Sequence, residues 1–233
     1  MARWYRARKL LDLPAGSRVL DLGCAFGFGT RLLESRYETY GHDLSFEYIR
    51  RARRTSAGST FTCGPADDVP YPDTHFDAVL LLDVMEHVPD PEAVVREVSR
   101  VLRPGGQLVV SVPNKGMLAS LDSLNVYQKW LGEWAPAPTD DPSWVERPHH
   151  THYDAAQVRR MFGPGFRVRS VLYTGLGIAE PLNLALLLLC KVVLRMPRLY
   201  TVLQYIYFGV YLTEDLWKTG DRGYHMMVQL DKR

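Results

Sequence analysis

Residues 19–29, VLDLGCAFGFG, run from a short apolar stretch through an aspartate into a cluster of glycines. That order reads as a strand turning sharply into a helix. Glycine at such a turn lets the backbone adopt φ > 0 and approach a ligand without a Cβ clash. Spacing excludes two nucleotide loops. No Gly-Lys-Ser/Thr follows, as a Walker phosphate loop needs, and glycines at 23, 27 and 29 do not fit G-x-G-x-x-G.

Working outward, helix-like WYRARKLLDL precedes this stretch and GTRLLESR follows it. Next come a strand, TYGHDL, and a helix, SFEYIRRARRTS, with Ser45 as its N-cap. STFTCG is a third strand, and HFDAVLLLD a fourth, apolar enough to be buried on both faces. PEAVVREVSRVL is an amphipathic helix stopped by RPGG, and QLVVSVPN is a fifth strand. Strands alternating with helices predict an α/β sheet with right-handed crossovers, with ligands at the carboxyl ends of its strands. After Asn114 the pattern breaks. Residues 115–150 read as a loop-rich insertion or lid carrying Tyr127, Trp130, Trp134, Trp144 and four prolines. AAQVRRMF then gives a helix capped by Asp154, FRVRSVLYT a strand, and GYHMMVQLD the last strand. The expected organisation is one domain over 1–233: a core (1–114), the insertion (115–150) and a C-terminal part (151–233).

Apolar residues are 46% and charged residues 23% of the 233, an ordinary globular balance. A net charge of +2 does not point to a polyanionic partner. Cys24, Cys63 and Cys190 are odd in number and scattered, so neither a disulfide framework nor a cysteine zinc site is expected. The first residues, MARWYRARKLLDLPAGS, lack the apolar core of a secretory signal, and a cytoplasmic location is expected. LNLALLLLCKVVL (182–194) and LYTVLQYIYFGVYL (199–212) are too short to span a bilayer, which takes about 20 apolar residues. Residues 182–212 are expected to form buried or interfacial helices, serving an apolar acceptor, a homodimer or a peripheral membrane contact.

The second strand ends in Asp43, twenty residues beyond Gly23, where a carboxylate can accept bonds from both ribose hydroxyls of a bound nucleoside. VLDLGCAFG, GHDLS, YPDTHFDAVLLLDVMEHVPDP and VLRPGGQLVVSVPN together resemble class I S-adenosylmethionine (SAM)-dependent methyltransferases, in order and spacing. The group they look most like contains the ubiquinone- and menaquinone-biosynthesis enzymes. The resemblance covers residues 1–114 well and 149–175 loosely. It implies a Rossmann-like class I methyltransferase fold, a seven-stranded, mostly parallel sheet with helices on both faces, and SAM released as S-adenosylhomocysteine. It places Asp21, Gly23, Cys24, Ala25 and Gly27 along the methionine and ribose, with Ala25 where the family has a glycine. Asp43 holds the ribose and Leu44 flanks the adenine. GPADDVPY resembles GDAExLPF, with Pro65 at the usual acidic position, so Asp67 and the Ala66 backbone are assigned to adenine. Leu82 and Asp83 lie beside the sulfonium. RWYRARKLL resembles a WWxRxR helix, and Arg8 is nominated for the methionine carboxylate.

Methyl transfer is an in-line displacement, and a hydroxyl nucleophile gains from a general base. Asp83, Glu86 and His87 in LDVMEHV would share a face if that segment is helical. They then supply a base (His87) or a divalent-metal site, or else simply organise a loop; no metal is assigned. ERPHHTHYD (146–154) holds His149, His150 and His152 without the spacing of a zinc site. It resembles the H-x-R-x-[FY]-[ST] segment near the acceptor pocket, so His150 and His152 join His87 as catalytic candidates. The expected reaction is O-methylation of an apolar, aromatic or lipid-linked small molecule. N- or C-methylation, RNA methylation and a non-catalytic SAM-binding role are the alternatives. Arg50, Arg51, Arg53 and Arg54 read as a solvated helix face, no [DN]-P-P-[YFW] box follows the fourth strand, and nucleic acid is not expected as a partner.

Overall fold

The computed structural model describes residues 2–116, 119–120, 122–131, 151–214, 216–217 and 219–233. Helix α1 (Ala2–Leu10) leads into β1 (Arg18–Leu22), α2 (Phe28–Leu33), β2 (Glu38–Asp43), α3 (Phe46–Thr55), β3 (Thr60–Cys63) and β4 (Phe76–Leu82). Then come α4 (Pro91–Val101), β5 (Leu102–Pro113), α5 (Ser123–Leu131), α6 (Ala155–Phe162) and β6 (Phe166–Thr174). Helix α7 (Ala179–Leu187) continues as a π-helical stretch (Leu188–Val193), and α8 (Pro197–Glu214) and β7 (His225–Lys232) complete the chain. The seven strands lie in the order β3-β2-β1-β4-β5-β7-β6. The first five pair in parallel, and β7 runs antiparallel to both β5 and β6.

The period-2 alternation of side chains explains the two cores. Leu20, Leu22, Val79, Leu81, Leu108, Val110 and Val228 pack on one face against Val94, Val98 and Val101 of α4 and Val158 and Phe162 of α6. Val19, Ala78, Leu80, Leu82, Val109 and Met227 pack on the other, against Ala7, Leu11 and Leu33. A strand buried on both faces must be apolar there, which is why β4 runs AVLLL through Ala78–Leu82. Helix α4 begins where the Asp90 carboxylate accepts the Ala93 N–H at 3.0 Å, with Pro91 in the first turn. RPGG ends it as expected, yet lies within β5: the register slips between Phe76 opposite Leu102 and Ala78 opposite Gln107.

Residues 115–150 are not all loop, because α5 occupies Ser123–Leu131, with Tyr127 buried and Trp130 81% exposed. Trp134 and Trp144 lie outside the described residues. The chain re-enters through a bridge between Asn114 and Tyr153, with Tyr153 N–H on Pro113 O at 2.9 Å. Asp154 then caps α6 in a capping box with Gln157. His152 and Tyr153 therefore lie at the carboxyl end of β5.

Candidate active site

The chain leaving β1 takes positive φ at Gly23 (85°), Ala25 (43°) and Gly27 (71°). Glycine serves the first and third without strain; Ala25 bears a cost of about 1–2 kcal/mol. Backbone bonds hold the loop: the Gly23 and Cys24 N–H groups both donate to His42 O, at 2.7 and 3.1 Å. A Cβ on Gly23 would sit 2.2 Å from Val84 Cγ2, so this loop and the turn after β4 are in contact.

Asp43 ends β2 and organises the loop from the side. Its Oδ2 accepts the Ala25 N–H at 2.8 Å and its Oδ1 the Ser45 N–H at 2.9 Å. A carboxylate has about four lone-pair sites, the acceptor capacity that a ribose diol calls for. Beside it, Leu44 is 60% exposed and Phe46 67%, an apolar surface for a base to lie on. The loop after β3 turns at Pro65, with Asp68 N–H on Pro65 O at 3.2 Å, Ala66 half-buried and Asp67 exposed. His42, which no sequence motif singled out, fixes this turn. Fully buried, it meets Thr62 Oγ1 at 2.8 Å through Nδ1 and Pro65 O at 3.0 Å through Nε2, and burial holds its pKa below the ordinary value.

Asp21 is 1% exposed and accepts the Thr30 hydroxyl at 2.6 Å through Oδ2. Burial pushes its pKa up to about 7, with Asp43 adding to the rise and Thr30 opposing it. Its Oδ1 is buried without a hydrogen-bond partner. An under-satisfied acid, an acceptor carboxylate at the next strand end and a loop of positive-φ backbone suit a cationic nucleoside such as SAM.

Asp83, at the end of β4, also has positive φ (57°). Ser111 Oγ donates to its Oδ1 at 2.9 Å and Arg3 Nη1 lies 2.5 Å from its Oδ2. Arg3, not the nominated Arg8, forms this ion pair; five residues apart on a helix, the two point about 140° away from each other. Arg3 also lies over the Tyr211 ring, 4.7 Å from its centre. The segment after Asp83 is a turn rather than a helix, closed by His87 N–H on Val84 O at 2.9 Å. Asp83, Glu86 and His87 therefore do not share a helix face. Glu86 is buried and His87 half-buried. Among the described residues no group of three or more His, Cys, Asp and Glu side chains could hold a metal ion.

His152 Nε2 lies 3.4 Å from Asp122 Oδ2, and its side chain is 9% exposed. Tyr224 also donates to Asp122, at 3.1 Å. The neighbouring Tyr153 hydroxyl donates to Met85 O at 3.0 Å, bringing this segment against the turn after β4. Beyond Asp122 the polar wall continues: Ser123 donates to Glu180 at 2.7 Å, Asn183 to Ser123 at 2.8 Å, and Tyr200 to Asn183 at 2.9 Å. Tyr211 and His225 meet at 3.2 Å. Burial raises Tyr224 well above its ordinary pKa, reinforced by Glu180 and Asp122. His149 and His150 lie outside the described residues. Thus Asp21, Gly23, Cys24, Ala25, Gly27 and Asp43 form one loop system, Leu82 and Asp83 end the adjacent strand, and His152 belongs to the wall over the strand ends.

A parallel sheet in this order, with an antiparallel β7 and a glycine turn after β1, is the class I SAM-dependent methyltransferase fold. Residues 20–110 match the family described as methyltransferase domain. It is 31% identical over 175 residues to 27-O-demethylrifamycin SV methyltransferase of Amycolatopsis mediterranei, covering 63% of this chain and 64% of that one. It is 43% identical over 96 residues to fatty-acid O-methyltransferase of Mycolicibacterium smegmatis (39% and 35%). To ubiquinone biosynthesis O-methyltransferase of Xanthomonas oryzae it is 36% identical over 111 residues (45% and 46%). The match thus spans less than two thirds of each relative. A Thermotoga maritima structure, described as a SAM-dependent methyltransferase and possible histamine N-methyltransferase, superposes with TM-score 0.65 at 18% identity, covering 100% of this chain and 88% of that one.

Proposed function

We propose that the chain transfers a methyl group from SAM to a hydroxyl of an apolar, aromatic or lipid-linked small molecule. The observation that carries this is the pairing of two surfaces at the strand ends: the loop centred on Asp43 and the buried polar wall containing His152 and Asp122. Asp43 receives the ribose hydroxyls, and Leu44 and the Ala66–Asp67 turn, held by His42, flank the adenine. Asp21, through its buried oxygen, adds negative charge on the methionine side, and Arg3, beside Asp83, is the α1 arginine we assign to the methionine carboxylate. SAM supplies the methyl group as a sulfonium, so the reaction needs an aligned nucleophile more than bond activation by the protein.

His152 is the base in this reading. With Nε2 3.4 Å from Asp122, the imidazole takes the hydroxyl proton as the oxygen attacks, and Asp122 stabilises the resulting imidazolium. Three relatives named for O-methyl transfer or for substrates of that kind support the choice of oxygen and of an apolar acceptor. The basic cluster of α3 supports no nucleic-acid role: Arg50 pairs with Glu47, Arg53 donates to Phe61 O, and Arg51 lies over Phe26.

The test has two parts. Calorimetry with SAM and with NAD separately should show SAM binding alone, weakened at least 30-fold by Asp43→Ala. Labelled SAM offered with phenols, fatty acids and isoprenoid quinols should give a methylated product, at a rate about 100-fold lower in His152→Ala with SAM affinity unchanged. Methyl transfer to tRNA and to none of these acceptors refutes the reading.

A further inference from the structure

Between β6 and β7 the chain inserts a pair of apolar helices, α7 with its π-helical continuation and α8. From residue 181 to 213 it contains no aspartate or glutamate and three cations, Lys191, Arg195 and Arg198. Of the flanking acids, Glu180 is 5% exposed and bonded to Ser123, Glu214 is 2% exposed and accepts the Ile178 N–H, and Asp215 lies outside the described residues. Lys191 is buried, 5.0 Å from the Tyr200 ring centre, which leaves Arg195 and Arg198 outside.

The outward side of α8 carries Arg198, Val202, Tyr205 and Ile206, spaced i, i+4, i+7 and i+8 on one helix face. Val202 is 64% exposed, Tyr205 72% and Ile206 56%; before the helix, Val193 is 70% and Met196 54% exposed, and beyond it Trp217 54%. A helix facing water places polar side chains there, and an apolar run of this extent marks an interaction surface. The inward sides of the same helices carry Glu180, Asn183, Tyr200 and Tyr211 of the site's polar wall. The helix pair separates the acceptor side from the exterior.

We infer that this face docks on an anionic lipid bilayer. Charge complementarity selects the occupant. A two-fold contact with a second copy presses the patch on itself and offers the arginines of neither copy a carboxylate from 181–213. Anionic headgroups supply the missing charge, while Val202, Ile206 and Met196 enter the acyl boundary with Tyr205 and Trp217 at headgroup depth. No helix among the described residues is long and apolar enough to cross a membrane, so the pair lies in the interface. That an apolar acceptor reaches the site from the bilayer rests on the proposed methyl transfer; the docking itself does not.

The experiment is co-sedimentation of the full chain with extruded vesicles of phosphatidylcholine alone or with about a third phosphatidylglycerol, beside light scattering for oligomeric state. The expected result is partitioning onto the anionic vesicles, reduced roughly 30-fold by Arg195→Gln with Arg198→Gln. Tyr205→Ser with Ile206→Ser should abolish it, and both variants should keep wild-type circular dichroism and SAM affinity. Absence of binding to anionic vesicles, binding that neither variant changes, or a dimer dissolved by Ile206→Ser overturns the inference. SAM binding without vesicle binding would refute only the docking, and vesicle binding without methyl transfer only the proposed activity.

Discussion

Replacing Asp21 with asparagine should flatten the pH dependence of stability. The carboxyl is wholly buried and held up to about 7 against an ordinary 3.8. Below pH 3.8 it is protonated in both folded and unfolded chains and contributes nothing. Between 3.8 and about 7 the unfolded chain has released its proton while the folded chain keeps it, so stability falls as pH rises; above about 7 the loss is complete. From pH 5 to pH 8 two pH units lie inside that window, at about 1.4 kcal/mol each, so wild type loses about 3 kcal/mol through this group. In Asp21→Asn the amide oxygen still accepts from Thr30, but its NH2 occupies the unpartnered Oδ1 position, a fixed cost of about 1–3 kcal/mol at every pH. That cost cancels in the comparison across pH. Urea unfolding of both proteins at pH 5 and pH 8 should therefore show the variant gaining about 3 kcal/mol on wild type, or roughly 6–12 °C in Tm. Parallel changes in the two proteins, within about 0.5 kcal/mol, would show that Asp21 is ionised in the fold and refute the reasoning.

Arg3→Ala should cost about 2 kcal/mol in unfolding, below the roughly 3–5 kcal/mol of a fully buried ion pair because Asp83 keeps 33% exposure. It should also weaken SAM binding more than Arg8→Ala does; calorimetry of the two side by side checks the assignment. His42 sits below its ordinary 6.5 because of burial, so as pH drops under 6.5 the unfolded chain takes up a proton that the folded chain refuses, and stability falls. His42→Gln should remove that acid-side loss while lowering stability at pH 8 by about 2 kcal/mol through its two buried bonds, read by denaturant titration. Gly23→Ala adds a Cβ 2.2 Å from Val84 Cγ2 at φ +85°, so SAM affinity should fall at least tenfold with helix content unchanged by circular dichroism.

The sheet was legible because its central strands must be apolar on both faces, and FDAVLLL and LVVSVP leave no other assignment. Helix caps at Ser45 and Asp154 were legible for a local reason: a short polar side chain followed by N–H groups that need an acceptor. What spacing could not show is what distant segments do together. Ser123 and Glu180 are 57 residues apart and Tyr224 and Asp122 are 102 apart, so the polar wall has no signature in either stretch. Which arginine of α1 pairs with Asp83 had no signature either, because Arg3, Arg6 and Arg8 are chemically equivalent and only packing distinguishes them. His42 left one clue, a histidine within a predicted strand, which must find partners for both ring nitrogens when buried.

Strain and unsatisfied charge fall where the ligand surfaces meet. Of four non-glycine positive-φ residues among those described, Ala25 follows β1 and Asp83 ends β4. Each is held by a specific bond rather than by core packing, Ala25 through its N–H on Asp43 and Asp83 through the Ser111 hydroxyl and Arg3. Asp21, beside them, is the acid whose ionised form the fold penalises. Such costs persist only when the surrounding structure over-determines them, and the two apolar cores on either side of the sheet supply that rigidity. Those costs lessen if a cation sits between Asp21 and Asp43, because it favours both carboxylates in their charged forms. The same loop that weakens the empty protein at neutral pH is thereby matched to a positively charged nucleoside, and ligand binding should stabilise this chain more at pH 8 than at pH 5.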